Sequence, residues 1–149
     1  LIELATKGDI PRMVQLGYQL VQESPSYKQH GYNAVKVSHT LAHMIDNPDC
    51  VVYVTRHNGE IIGGIAGNVD ARWFNDELIG YEYAFFVEPG KRNGVIAKNL
   101  INKFTAWCGL KGASIIIMGL TTEVNPEGTD RLYQHCGFEN YGHLYKMEL

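Results

Sequence analysis

Phe86-Val87-Glu88-Pro89-Gly90-Lys91-Arg92-Asn93-Gly94-Val95-Ile96-Ala97, running on into Lys98-Asn99-Leu100-Ile101, is the stretch from which the rest of the chain is read. An apolar, aromatic run from Leu78 to Val87 predicts a strand, and Pro89 ends it because proline has no N–H for a ladder. A basic, glycine-containing turn follows, and Ile96, Ala97, Leu100, Ile101, Phe104 and Cys108 then recur at helical spacing up to Gly109. A helix that begins at such a turn leaves backbone N–H groups without partners, and its dipole adds about half a positive charge there. That is an anion site of the kind that takes phosphate, and Lys91 and Arg92 add charge of the same sign. Taken alone, the stretch is equally an ordinary strand-to-helix connection with solvated basic residues.

Outward from this point the chain alternates elements without a break. Ile2 to Ala5 predicts a short strand, with Asp9 placed to cap a helix over Ile10 to Glu23 and Pro11 in its first turn. Ser24-Pro25-Ser26 ends that helix, and a second one is expected over about Asn33 to Ile45, stopped by Asp46-Asn47-Pro48. Cys50 to Thr55 and Ile61 to Gly67, joined through Asn58-Gly59, form the strongest hairpin signal in the sequence. Val69 to Glu77 is a mostly polar connection carrying Trp73 and Phe74. Beyond the central helix, Ser114 to Met118 predicts a strand buried on both faces. A helix near Pro126 to His135 follows, and Tyr141 to Leu149 is expected to return as a final strand.

Composition narrows the function. The 149 residues are 45% hydrophobic and 19% charged, which suits one well-cored domain over residues 1–149. A net charge of −3 gives no field for nucleic acid. No apolar run approaches the ~18 residues needed to cross a bilayer, and no signal pattern opens the chain, so a cytoplasmic location is expected, with no membrane partner. An initiator Met or a short leading segment is expected to precede Leu1. Cys50, Cys108 and Cys136 are an odd set without CxxC spacing, as expected of reduced thiols. His39 and His43 stand at metal-ligand spacing but without the glutamate of H-E-x-x-H, so no metal site is expected. There is no G-K-[ST] of a P-loop, and Gly63-Gly64 lie inside the hairpin, where they do not make a dinucleotide site.

The element order and two local motifs resemble the GNAT superfamily of acetyl-CoA-dependent N-acetyltransferases over nearly the whole chain. The opening stretch is similar to the family's V-x-P-x-x-R-G-x-G-x-G/A-x-x-L through Val87, Pro89, Arg92, Ala97 and Leu100. Leu132-Tyr133-Gln134-His135-Cys136-Gly137-Phe138 matches L-Y-x-x-x-G-F. Two positions depart from the pattern: Asn93 and Val95 stand where glycine is usual, and Pro126, beside Asn125, stands where the last helix often opens with Asn. The resemblance implies an α/β fold with a mixed, mostly antiparallel central sheet flanked by helices. It also implies acetyl-CoA as co-substrate, an amine-bearing acceptor, small molecule or protein, and a homodimer.

The resemblance further implies a cofactor-binding set, namely the backbone at Phe85, Phe86 and Val87 for the thioester and pantetheine, and Lys91, Arg92, Asn93, Gly94, Val95, Ile96 and Ala97 for the diphosphate. It implies Tyr133 as general acid. A phenol with an ordinary pKa near ~10 stays protonated at neutral pH and holds a proton ready for a thiolate whose conjugate acid lies near ~8.5. Glu82 is the candidate base, although strict strand parity sets it opposite Tyr81 and Tyr83, and a bulge would change the side it faces. A packed aromatic at Tyr133 and an ion-paired strand carboxylate at Glu82 remain the plain alternatives. The first helices and the loop from Ala71 to Glu77 are expected to shape the acceptor site. A non-catalytic acyl-CoA-binding or protein-interaction module on the same scaffold is the rival reading.

Overall fold

The computed structural model describes residues 1–149. Its centre is a five-stranded sheet in the order β1 (Ile2–Leu4), β2 (Cys50–His57), β3 (Glu60–Ala71), β4 (Leu78–Val87), β5 (Ile115–Ile117). The first four strands are antiparallel neighbours, and β5 runs parallel to β4. The sheet is thus mixed and mostly antiparallel, as expected. At the β2–β3 turn, Asn58 and Gly59 both take positive φ, 50° and 81°, which is the backbone that an Asn-Gly hairpin needs.

Helices α1 (Ile10–Glu23) and α2 (Ala34–Asp46) cover one face, and α3 (Gly94–Leu110) and α4 (Pro126–His135) the other. The alternation of β2 decides which residue meets which layer. Val52 and Val54 join Leu16, Met44 and Phe86 under α1 and α2, while Val51 and Tyr53 join Val87, Leu100, Phe104 and Tyr133 on the other side. Leu100, Ile101, Phe104 and Cys108 are fully buried, so the predicted stripe of α3 is the anchor of that layer. Each such side chain contributes on the order of 2 kcal/mol by leaving water. Asp9 precedes α1 without capping it, because its carboxylate turns back to accept from the Thr6 N–H at 2.9 Å and from Arg56 at 2.8 Å.

Two expectations at the C-terminal end need correction. β5 is three residues long, and its isoleucines are partly exposed instead of buried on both faces. The final strand expected over Tyr141 to Leu149 does not form: residues 139–149 carry no ladder and are exposed throughout. Their attachments are side-chain contacts, such as the Gln29 amide donating to Glu148 Oε1 at 3.1 Å. Alternating apolar residues make a strand only when a neighbouring edge accepts their backbone groups.

Candidate functional site

Strands β4 and β5 pair only as far as Tyr81 and Ile117 and then splay apart. A cleft of about 580 Å³ opens in the gap, lined by β4 from Tyr81 to Val87, the loop around Arg92 to Gly94, the segment Gly119 to Thr122, and α4. Leu20, Tyr27 and Leu144 close it from other parts of the chain.

The orientation of β4 within this cleft follows from its pairing. The Glu88 N–H donates to the Ile62 carbonyl at 2.7 Å, so with the observed register Phe86 shares a hydrogen-bonded pair with Gly64. The N–H groups of Phe85 and Val87 therefore point away from β3, into the splayed gap, while that of Phe86 is spent on the sheet. Between Ala66 and Gly67 the register slips, with Ala66 opposite Ala84 and Gly67 opposite Glu82, leaving Tyr83 as the extra residue of a β-bulge. The bulge moves Glu82 off the face of Ala84 and Phe86 and onto that of α3 and α4. Glycine at position 67 permits this packing, because a Cβ there would stand 2.3 Å from the Tyr81 carbonyl oxygen and 2.6 Å from the Phe104 ring.

On that face Glu82 and Tyr133 converge on one residue. The Gly119 N–H donates to Glu82 Oε2 at 3.4 Å, and the Tyr133 hydroxyl donates to the Gly119 carbonyl at 3.0 Å. Burial pushes the Glu82 carboxyl up to about 7, and the Gly119 N–H offsets only part of that rise. Burial, then the neighbouring charge of Glu82, raises the Tyr133 phenol far above its ordinary value, so it is protonated at every physiological pH. A carboxylate poised near neutrality beside a protonated phenol is an acid–base pair. The sequence offered no sign of Gly119, whose two backbone groups organise the pair. It follows a short strand, and only the fold brings it beneath Glu82.

The turn after β4 supplies a different environment. Pro89–Lys91 forms a 3-10 turn, and Asn93 caps α3, its Oδ1 accepting from the Ile96 N–H at 2.9 Å. The N–H groups of Asn93, Gly94 and Val95 find no acceptor within the chain. Together with the α3 dipole they make an anion-binding end to the cleft. The Val95 side chain is exposed and lies outside the cleft lining, so its Cβ does not crowd the lining; Ile96 packs into the α3 layer, and Lys91 is exposed in the turn, also outside the cleft.

The Arg92 guanidinium is already engaged. It donates to both carboxylate oxygens of Glu23 at 2.8 Å and to the Val87 carbonyl at 2.7 Å, and it lies over the Phe86 ring at 5.4 Å. Arg92 thus straps the end of α1 to the turn. The far wall is tied in a similar way: the Ser24 hydroxyl donates to the Thr122 carbonyl, and the Tyr27 hydroxyl pairs with Thr121 Oγ1 at 2.6 Å. Asn125, in left-handed backbone at φ 50°, caps α4 by accepting from the Gly128 N–H. The loop from Ala71 to Glu77 does not line the cleft. Arg72 pairs with Glu77 there, and the exposed Trp73 and Phe74 rings meet edge to face. Burial raises the thiol of Cys136. No grouping of His, Cys, Asp and Glu suited to a metal ion is present, and no helix is long and apolar enough to cross a membrane.

Similar solved structures share this fold across the whole chain. A complex of AAC(6')-Iy with the bisubstrate analogue CoA-S-monomethyl-acetylneamine superposes with a TM-score of 0.79 at 19% identity, covering 100% of this chain and 97% of that one. Glucosamine-6-phosphate N-acetyltransferase from Arabidopsis thaliana gives 0.77 at 15% identity, with 99% and 97% covered. A transcriptional regulator from Bacillus halodurans C-125 gives 0.81 at 16% identity, with 100% and 99% covered. At these identities the likeness is one of fold. No curated protein matches the sequence. Residues 17–138, most of the chain, match the Acetyltransferase (GNAT) family, and the chain therefore belongs to the GNAT acetyltransferases.

Proposed function

We propose that the protein transfers the acetyl group of acetyl-CoA directly to a primary amine, with both substrates bound together in the cleft. The observation that carries this reading is the convergence of Glu82 and Tyr133 on Gly119 beneath the splayed strands. The donors present fit coenzyme A: unpartnered amides at Asn93, Gly94 and Val95 suit a diphosphate, and the outward N–H groups of Phe85 and Val87 suit the amides and thioester carbonyl of an extended arm. The acetyl thioester supplies the electrophile.

In this reading Glu82 takes a proton from the substrate ammonium, directly or through water, because a carboxylate titrating near 7 is ionised often enough and basic enough to do so. An N–H of β4 receives the charge that develops on the carbonyl oxygen; a preorganised donor of this kind is worth about 3 kcal/mol. Tyr133, protonated at neutral pH, releases the Gly119 carbonyl and donates to the departing sulfur as the C–S bond breaks, and the proton lost from the newly acylated nitrogen restores the phenol. Arg92 holds α1 against the turn and keeps the amides beside it in place.

Thiol release from acetyl-CoA across a panel of amines tests the reading. Initial-rate lines that intersect when both substrates are varied are expected for a ternary complex, whereas parallel lines indicate a covalent acetyl-enzyme and overturn direct transfer. Coenzyme A affinity without thiol release for any amine means a binding module on the same scaffold.

A further inference from the structure

Resting on the acetyl-transfer reading, we infer that the acceptor carries one positive charge, on the reacting amine, and no other charge, and that the body of the molecule is apolar or aromatic. The cleft lining contains one carboxylate, Glu82, and one cation, Arg92. Arg92 donates from Nη2 to both Glu23 oxygens and from Nε to the Val87 carbonyl, so its charge is already balanced by a carboxylate from outside the cleft, and an acceptor carboxylate or phosphate has to compete with Glu23 for it. One ammonium beside Glu82 leaves the cleft neutral. A second ammonium has no counter-charge there, and an acceptor anion stands beside Glu82 with no free cation to receive it. A charge that leaves water for the apolar part of the cleft without a partner is disfavoured.

The hydroxyl groups lead to the same acceptor. The Tyr27 and Thr121 hydroxyls are bonded to each other, so two of the hydroxyls that line the cleft are already partnered within the chain. Leu20, Ile117, Leu120, Val124 and Leu144 line it beside Tyr81 and Tyr83, while Asn93, Thr122, Asn125 and Thr129, which also line it, form hydrogen bonds with nearby backbone. Such a wall gains energy by covering carbon and offers few donors or acceptors to a sugar. Polyamino sugars, polyamines, free amino acids and phosphorylated amino sugars all present charges that this cleft leaves unmatched. Discrimination against them comes from what is missing as much as from what is present.

Matched pairs of acceptors test this: phenethylamine against phenylalanine, hexylamine against 1,6-diaminohexane, and glucosamine against its 6-phosphate. The expected result is a kcat/KM on the order of 100-fold higher for phenethylamine than for phenylalanine, with hexylamine well above the diamine. Calorimetric titration of the same amines into enzyme saturated with coenzyme A gives the same ranking without turnover. If no amine is acetylated, the transfer reading fails while the binding ranking still decides the charge rule. Leu144→Asp adds a second carboxylate at an exposed lining position, and the diamine is expected to gain about tenfold relative to hexylamine. The inference is overturned if phenylalanine, the diamine or the sugar phosphate equals its uncharged-bodied partner, or if a peptide N-terminus outperforms every free monoamine.

Discussion

The two walls of the cleft are built on different terms. The β4 wall is laddered to β3 at every residue but the bulged Tyr83 and leads through one short turn into the capped start of α3. The opposite wall is a three-residue strand, a loop with Glu123 and Asn125 in left-handed backbone, and a terminal segment with no ladder at all. One wall is held by backbone, the other by side chains reaching from elsewhere: Ser24 and Tyr27 from the end of α1, and Gln29 to the terminal segment. In the proposed reading the laddered wall carries the coenzyme, and the side-chain-held wall meets the acceptor. A fixed donor array needs rigid backbone, whereas acceptor recognition varies with side chains. The acid–base pair sits at the seam, with Glu82 on the first wall and Gly119 and Tyr133 on the second.

The largest effect is expected at that seam. Glu82→Gln keeps the shape of the side chain and removes the base of the proposed reading, so kcat/KM at pH 8 should fall by about 10²- to 10⁴-fold. The wild-type rate should rise through a pKa near 7 and that limb should vanish in the variant. The folding stability moves the other way. The folded pKa lies above the unfolded one, so Glu82 contributes stability below about 4.5 that is lost as pH rises through about 7. The variant should accordingly melt higher than wild type at pH 8 to 9, by at most about 3 kcal/mol of stability, and gain nothing of the kind near pH 5. A rate limb near 7 that survives in Glu82→Gln assigns the base elsewhere.

Tyr133→Phe should come next. It removes one hydroxyl and one hydrogen bond, to the Gly119 carbonyl, while leaving the ring packed against Phe138. Turnover should fall by about 10- to 100-fold, with the dissociation constant for acetyl-CoA within about twofold of wild type. A weakened coenzyme affinity with unchanged kcat would mean that Tyr133 supports the second wall and takes no part in the chemistry.

Gly67→Ala probes the first wall from behind. The added methyl collides with the Tyr81 carbonyl and the Phe104 ring, and neither has room to give beneath α3. Overpacking of this order costs about 1 to 3 kcal/mol, so the melting temperature should drop by roughly 3 to 10 °C. Because Gly67 lies opposite Glu82 at the bulge, the surviving folded enzyme should also be slower. Ala66→Gly at the neighbouring position, which adds nothing, should leave the bulge in place.

These residues also mark how far the sequence could be read. The strand, turn and helix from Leu78 to Cys108 were legible because each signal is local: β-rich alternation, a proline, a glycine-containing turn and a helical stripe. Tyr133 was legible through its motif. The side taken by Glu82 was not, because the slip at Tyr83 arises from the partner strand, where Gly67 admits Phe104. Gly119 was invisible for the same reason, since its role depends on two residues 37 and 14 positions away. Arg92 reads from sequence as a phosphate ligand, and it takes the fold to bring Glu23 to it. Alternation in Tyr141 to Leu149 suggested a strand, but alternation does not say whether an edge is there to receive it.

The smallest effect is expected from that terminal segment, and it separates the two walls most cleanly. Deleting residues 139–149 removes no ladder hydrogen bond and no buried side chain, so the melting temperature should change by about 2 °C or less. The dissociation constant for acetyl-CoA should also hold, because the segment's hydrogen bonds and ion pair go to Gln29 and within the segment, not to the turn after β4 or the start of α3. Leu144, however, lines the cleft, and its removal opens the acceptor wall to water. The KM for an apolar monoamine should therefore rise by about 3- to 10-fold, the value of covering one or two methylene groups, with kcat little changed. A large loss of stability on truncation would mean that the segment is a structural part of the second wall. An unchanged KM would place the acceptor entirely between Tyr81, Tyr27 and Thr121, and the distinction between a laddered coenzyme wall and a side-chain-held acceptor wall would then end at Thr122.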